Sequence, residues 1–203
     1  MSHDSQIRRL IRLVVFIASL LPLAWLIWQS LTIGLGANPV EKIQRYTGDW
    51  TLNFIFITLA ISPLQSITGI VRLKEIRRMV GLYAFFYASL HFINYIAIDQ
   101  AFEWDAIIKD VAGHKRIIFG FISFIILSAL AVTSTNRMFQ SLGARYWKAL
   151  HQLIYITAIG AVVHFILLVK IDIRRPLIYA GGLVVLLGYR MALWAHKRVT
   201  AKR

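Results

Sequence analysis

Met79 to Ile98 reads MVGLYAFFYASLHFINYIAI, a run with no Asp, Glu, Lys or Arg and a single imidazole, His91. Twenty apolar residues at about 1.5 Å rise each span about 30 Å, the thickness of a bilayer's hydrocarbon core. Five more runs of the same character flank it, at about 10–30, 50–68, 116–134, 149–169 and 176–195. Short connections consume the rest of the 203 residues, so the chain reads as an all-α membrane protein. The expected fold is a six-transmembrane-helix bundle forming a single domain over 1–203. The first run follows Arg8, Arg9 and Arg12 but is too long for a signal peptide and lacks a small-x-small cleavage pattern, so it counts as a helix.

The net charge of +14 would point to nucleic acid in a soluble protein. Here the basic residues follow topology instead. With the N-terminus inside, Arg8, Arg9, Arg12, Arg72, Lys74, Arg77, Arg78, Arg137, Arg145, Lys148, Lys197, Arg198, Lys202 and Arg203 share one side with only Asp4 and Glu75. The opposite loops pair eight basic residues with the other seven acids. Excess Lys and Arg mark the cytoplasmic side, which puts both termini there. Anionic lipid headgroups of the bilayer account for the basic clusters, and no nucleic-acid partner is implied. With no cysteine, disulfides and thiolate metal sites are excluded.

Three of the six histidines, His91, His151 and His164, fall within the third and fifth runs. An ionisable group in hydrocarbon is costly and reads first as functional, although a neutral histidine bonded to a neighbouring helix is the plain alternative. Runs three and five both point outward. His91 lies about seven residues and His164 about five from their outer ends, a depth difference near 3 Å. Two imidazoles at one depth on parallel helices suit the axial positions of a haem iron, and need no cysteine. Gly81, Ala84 and Ala88 precede His91 on nearly its own face, as Thr157, Gly160 and Ala161 precede His164. They could form a porphyrin recess or simply allow close helix packing.

His151 and His164 are about 20 Å apart along one helix, the separation of two stacked cofactors, yet an ideal helix sets their rings about 140° apart. A kinked or overwound helix near Gly160, or approach from different faces, would resolve this. Thirteen residues before His91 stands Arg78 rather than a histidine, so an inner haem would need another ligand or be absent. His114, in an outer loop, and the terminal His3 and His196 are weaker candidates.

Five strings carry a resemblance over nearly the whole chain: LLPLAWLIW (20–28), GLGANPVEKIQRYTG (34–48), RRMVGLYAFFYASLH (77–91), LGARYWKALHQLIYI (142–156) and KIDIRRPLIYAG (170–181). They closely resemble the family of haem-binding membrane subunits of bacterial protein-methionine-sulfoxide reductase systems, part of the ferric-reductase-like transmembrane family. The resemblance implies an inner-membrane b-type cytochrome, an electron-transfer subunit whose partner performs the catalysis. That partner is a periplasmic molybdopterin-containing methionine-sulfoxide reductase. The family's haem histidines map onto His91, His151 and His164, for one haem b or two. FMN is a further cofactor implied by the family, and the electron donor would be the quinone pool or a cytosolic flavin reductase.

Arg77 and Arg78, with Arg72 and Lys74, suit the phosphate of FMN or a haem propionate, and topology alone also explains them. The outer loop with Asp99, Glu103, Asp105 and Asp110 beside Phe102 and Trp104 is a docking surface or merely solvated. A proton or ion transporter using the histidines as a relay is the competing class. It lacks an Asp or Glu partner inside the spans.

Overall fold

The structure, a computed structural model, describes residues 3–200 except the side chains of His3, His196, Lys197, Val199 and Thr200. The side chains of His3 and His196 and the terminal Lys202 and Arg203 thus lie outside the described residues. Among those described there are helices and no strand. They are α1 (His3–Thr32), α2 (Pro39–Thr68), α3 (Leu73–Ile93), a π-helical turn (Asn94–Asp99), α4 (Trp104–Gly113), α5 (Lys115–Val132), α6 (Asn136–His151), α7 (Ile154–Leu168) and α8 (Arg174–Thr200). Six segments are long and apolar enough to cross a membrane: Asp4–Thr32, Pro39–Thr68, Leu73–Asp99, Lys115–Val132, Asn136–Leu168 and Arg174–Ala195.

The second helix starts well before the predicted position at about 50. The Asn38 side chain caps it by accepting from the Glu41 amide at 3.1 Å, and Pro39, which has no N–H to leave unsatisfied, follows at the first turn. The polar stretch EKIQRYTGD hides these turns from a hydropathy reading. They matter because Gln44 and Gly48 lie on them.

The fifth predicted run is divided between α6 and α7. The amides of Gln152, Leu153 and Tyr155 bond to the carbonyls of Ala149, Leu150 and Gln152 at 3.2, 3.0 and 3.1 Å, an i to i−3 pattern that winds the chain more tightly. Each such residue turns by about 120° instead of about 100°, and the four residues 152–155 recover roughly half of the angular mismatch between His151 and His164. The overwinding thus falls at 152–155 rather than near Gly160. Gly160 instead lets α7 meet α5: a Cβ there would run into the Ser123 hydroxyl.

The most extensive helix pairs are α2 with α3 and α5 with α7. Phe54 of α2 stacks on Tyr83 and Tyr87 of α3, with ring centres 5.7 and 5.2 Å away. In lipid, apolar surface gains little by leaving the acyl chains, so hydrogen bonds and close packing must fix neighbours. Helix α1 shows this. Pro22 interrupts its backbone ladder, and fully buried Tyr87 donates its hydroxyl to the Ser19 carbonyl (2.9 Å) while accepting from the Leu23 amide (3.1 Å). Tyr46 donates to the Pro22 carbonyl (3.0 Å) and Tyr83 to that of Phe16 (3.2 Å).

Outward faces of α1 and α8 expose Leu10, Leu13, Leu21, Ile178, Val184 and Val185, as surfaces against lipid do. At one end of the bundle Asp4 pairs with Arg8 (2.6 Å) and Arg72 (2.8 Å), joining the start of α1 to the start of α3. At the other end Arg175 pairs with Asp49 at 2.8 Å.

Candidate functional site

Helices α3 and α7 bring His91 and His164 together near the ends of their spans. The ring centres are 6.2 Å apart and the planes perpendicular. Neither ring is oriented by its own helix. Each rests on a neighbour through the same two-part seat.

His91 Nδ1 lies 2.9 Å from the carbonyl oxygen of Gln44 on α2. Gly48, one turn further along, clears the space: a Cβ there would stand 3.1 Å from Cε1 and Nδ1 of the ring. His164 Nδ1 lies 2.5 Å from the carbonyl oxygen of Arg116 at the start of α5, and a Cβ on Gly120 would stand 2.8 Å from that nitrogen. In both seats a carbonyl at i and a glycine at i+4 share one helix face. The missing side chain admits the ring, and the carbonyl receives its proton. Because a carbonyl only accepts, Nδ1 must be the N–H in each ring, which leaves the lone pair on Nε2. Carbonyl-oriented imidazoles with the distal nitrogen free to donate are how proteins prepare histidine as a metal ligand.

Around His91 the arrangement continues. The Gln44 amide nitrogen stands 3.2 Å from His91 Nε2, and its amide oxygen accepts from Asn94 Nδ2 at 2.6 Å. Asn94 opens the π-helical turn, is 3% exposed, and donates also to the Val40 carbonyl (3.3 Å), while its Oδ1 is buried without a partner. π-turns of this kind recur at functional sites because they reposition one side chain against the regular helix.

Two imidazoles suit a metal that brings its own equatorial donors. Among the described residues no group of three or more His, Cys, Asp or Glu could hold a bare ion. His91 and His164 supply two neutral nitrogen donors from neighbouring helices, with ring centres 6.2 Å apart, the donor set that a haem iron takes from a protein. The residues present therefore fit a haem. The small residues named from the sequence serve packing instead: Ala84 and Ala88 are buried in the core, and Gly81 faces Thr58 of α2. Gly48 and Gly120, on the two seating helices, are the glycines that meet the rings.

The third histidine stands apart. His151, at the end of α6, stacks on Trp147 at 3.8 Å between ring centres and places Nε2 3.3 Å from the Thr133 hydroxyl. No second histidine faces it among the described residues. Arg77 and Arg78 lie within electrostatic range of it. Arg77 donates to Ser62 Oγ (3.1 Å) and Arg78 to Asn136 Oδ1 (2.7 Å). Beside them Arg190 of α8 bonds the Tyr155 hydroxyl and, at 2.8 Å, the Leu59 carbonyl. Sequence reasoning overlooked Gln44, Gly48, Asn94, Gly120 and Arg190. The capping sequence Asn38-Pro39-Val40-Glu41 could have revealed the early start of α2 that carries two of them. In the connection between α3 and α5, Phe102 and Trp104 are exposed, and Asp110 is occupied by Tyr95 (2.9 Å).

Residues 46–162 match the family described as ferric reductase like transmembrane component. The chain is 43% identical over 190 residues to the protein-methionine-sulfoxide reductase heme-binding subunit MsrQ of Rhodospirillum rubrum, covering 94% of this chain and 91% of that protein. It is 44% identical over 196 residues to the protein of the same name from Xanthomonas oryzae pv. oryzae (94% and 88% covered). For that of Bordetella pertussis the figure is 41% over 194 residues (95% and 94% covered).

Proposed function

Given that the chain belongs to the ferric reductase like transmembrane family and, within it, to the MsrQ group of haem-binding subunits, we propose that it is a b-type cytochrome carrying electrons across the bacterial inner membrane. The donor is the quinone pool or a cytosolic flavin reductase. The acceptor is a periplasmic molybdopterin-containing methionine-sulfoxide reductase, which performs the catalysis, and the exposed Phe102 and Trp104 on the acidic outer connection are its docking surface. His91 and His164 are the axial ligands of one haem b. The observation that carries this is the pairing of two imidazoles, each with Nδ1 on a carbonyl so that the lone pair lies on Nε2.

When bound, haem supplies a reversible one-electron couple. The rest is the work of this chain. The carbonyls of Gln44 and Arg116 hold the ring tautomers, and Gly48 and Gly120 set how far each ring approaches its seat. A haem held by both histidines would transfer electrons rather than bind oxygen. On the cytoplasmic side His151 would be the ligand of a second haem where the chain binds two rather than one, with Arg77 and Arg78 placed for a propionate or the phosphate of FMN.

The test is a dithionite-reduced minus oxidised spectrum of the detergent-purified protein, with haem counted per chain as the pyridine complex. A split low-spin b-type band that His91→Ala and His164→Ala each abolish is expected. No haem band in protein made with ample haem, together with pH-driven flux in vesicles, would replace the cytochrome with the transporter.

A further inference from the structure

His91 and His164 are seated alike through Nδ1 but differ at Nε2. At His91 the nitrogen that a metal would take is already engaged by the Gln44 carboxamide, 3.2 Å away. The orientation of that carboxamide follows from its other end. Gln44 Oε1 sits 2.6 Å from Asn94 Nδ2 and Gln44 Nε2 faces an imidazole nitrogen that, with its proton on Nδ1, can only accept. So Gln44 donates to the lone pair of His91, while its own backbone carbonyl receives the proton from the other side of the ring. One residue thereby occupies both nitrogens of the ligand.

Asn94 holds the carboxamide in that position and is itself incompletely satisfied, with Oδ1 buried and unpartnered. A buried acceptor without a donor is costly. It belongs to the side chain that grips Gln44, so an amide donor leaving His91 has an acceptor beside it. We propose that the Gln44 side chain is a placeholder for iron at His91. Its amide competes with iron for the lone pair of Nε2 and must yield it to haem, so that it lowers the apparent haem affinity. The Gln44 backbone carbonyl, in contrast, serves the ligand in both states. This inference rests on the reading of His91 as a haem ligand and adds the residue that competes for it.

The experiment is haem titration of detergent-purified apo-protein from haem-deficient cells, comparing wild type with Gln44→Ala and with Gln44→Met, which keeps the length and removes the donor. Both variants retain the backbone carbonyl. Loss of one competing hydrogen bond should raise the apparent affinity by about fivefold in each. Independently of haem, the ¹⁵N signal of His91 Nε2 in the apo-protein should move toward that of an unbonded imidazole nitrogen in both variants and stay unchanged in Gln152→Met. Affinity in Gln44→Met equal to or below that of wild type, or an unmoved Nε2 signal, would overturn the placeholder while leaving the ligand assignment standing. Absence of saturable haem binding in wild type would overturn the ligand assignment itself, and with it the placeholder.

Discussion

Gly120 lies so close to the His164 ring that a Cβ at this position would stand 2.8 Å from Nδ1. Gly48 stands in the same relation to His91, more loosely, at 3.1 Å. Both glycines are helical with ordinary backbone angles, so they are needed for space and not for conformation. Gly120→Ala should therefore push His164 off the Arg116 carbonyl and cost more than Gly48→Ala. Overpacking of this kind typically costs about 1–3 kcal/mol. Haem per chain and thermal unfolding in detergent should both fall in the order wild type, Gly48→Ala, Gly120→Ala.

Gly160 and Ser123 form a second tight contact, between α7 and α5, in which the obstacle to a Cβ is the serine hydroxyl. The Ser123 Cβ is 3.8 Å from where the new Cβ would sit, an ordinary separation. Gly160→Ala alone should destabilise the α5–α7 pair. Adding Ser123→Ala should restore most of the loss, and a double-mutant cycle on unfolding temperature would show the coupling. Additive losses would mean that α7 shifts elsewhere to relieve the clash.

Tyr87→Phe keeps the stack on Phe54 and removes the hydroxyl that joins the Ser19 carbonyl to the Leu23 amide. Two backbone groups beside Pro22 then lose a buried partner, a cost of about 1–3 kcal/mol. Helix α1 should loosen from α3 while His91 and its seat remain. Protease sensitivity of the α1–α2 connection and an unchanged haem spectrum would show that separation.

His151 shares no contact with the His91/His164 pair and rests instead on Trp147 and Thr133. His151→Ala should leave in place the haem absorbance that depends on the His91/His164 pair and remove only what His151 itself contributes. Equal loss of all haem absorbance in His151→Ala and His91→Ala would show that the two positions serve one centre.

The six spans and the meeting of His91 with His164 were legible in the sequence because both depend on counts along a helix: residues per bilayer, and depth from a common end. The seats were not legible. Gln44 reaches His91 across 47 positions and Arg116 reaches His164 across 48, and no periodicity within either segment records such a contact. The early turns of α2 were concealed because the residues there are polar, Gln44 among them turned to His91, and hydropathy does not register them. The orientation of His151 was concealed by a local change from α to tighter winding, which adds no residue and leaves no mark on hydropathy.

The two seats divide the molecule in sequence as well as in space. Gln44, Gly48, His91 and Asn94 lie on α2, α3 and the turn that follows, while Arg116, Gly120 and His164 lie on α5 and α7. Each half holds one histidine of the pair with its own carbonyl and its own glycine. During synthesis the first imidazole can be set as soon as its hairpin enters the membrane, and the second waits only for α7. The chain should therefore tolerate being cut in the connection between the two halves and reassembled from separately expressed pieces.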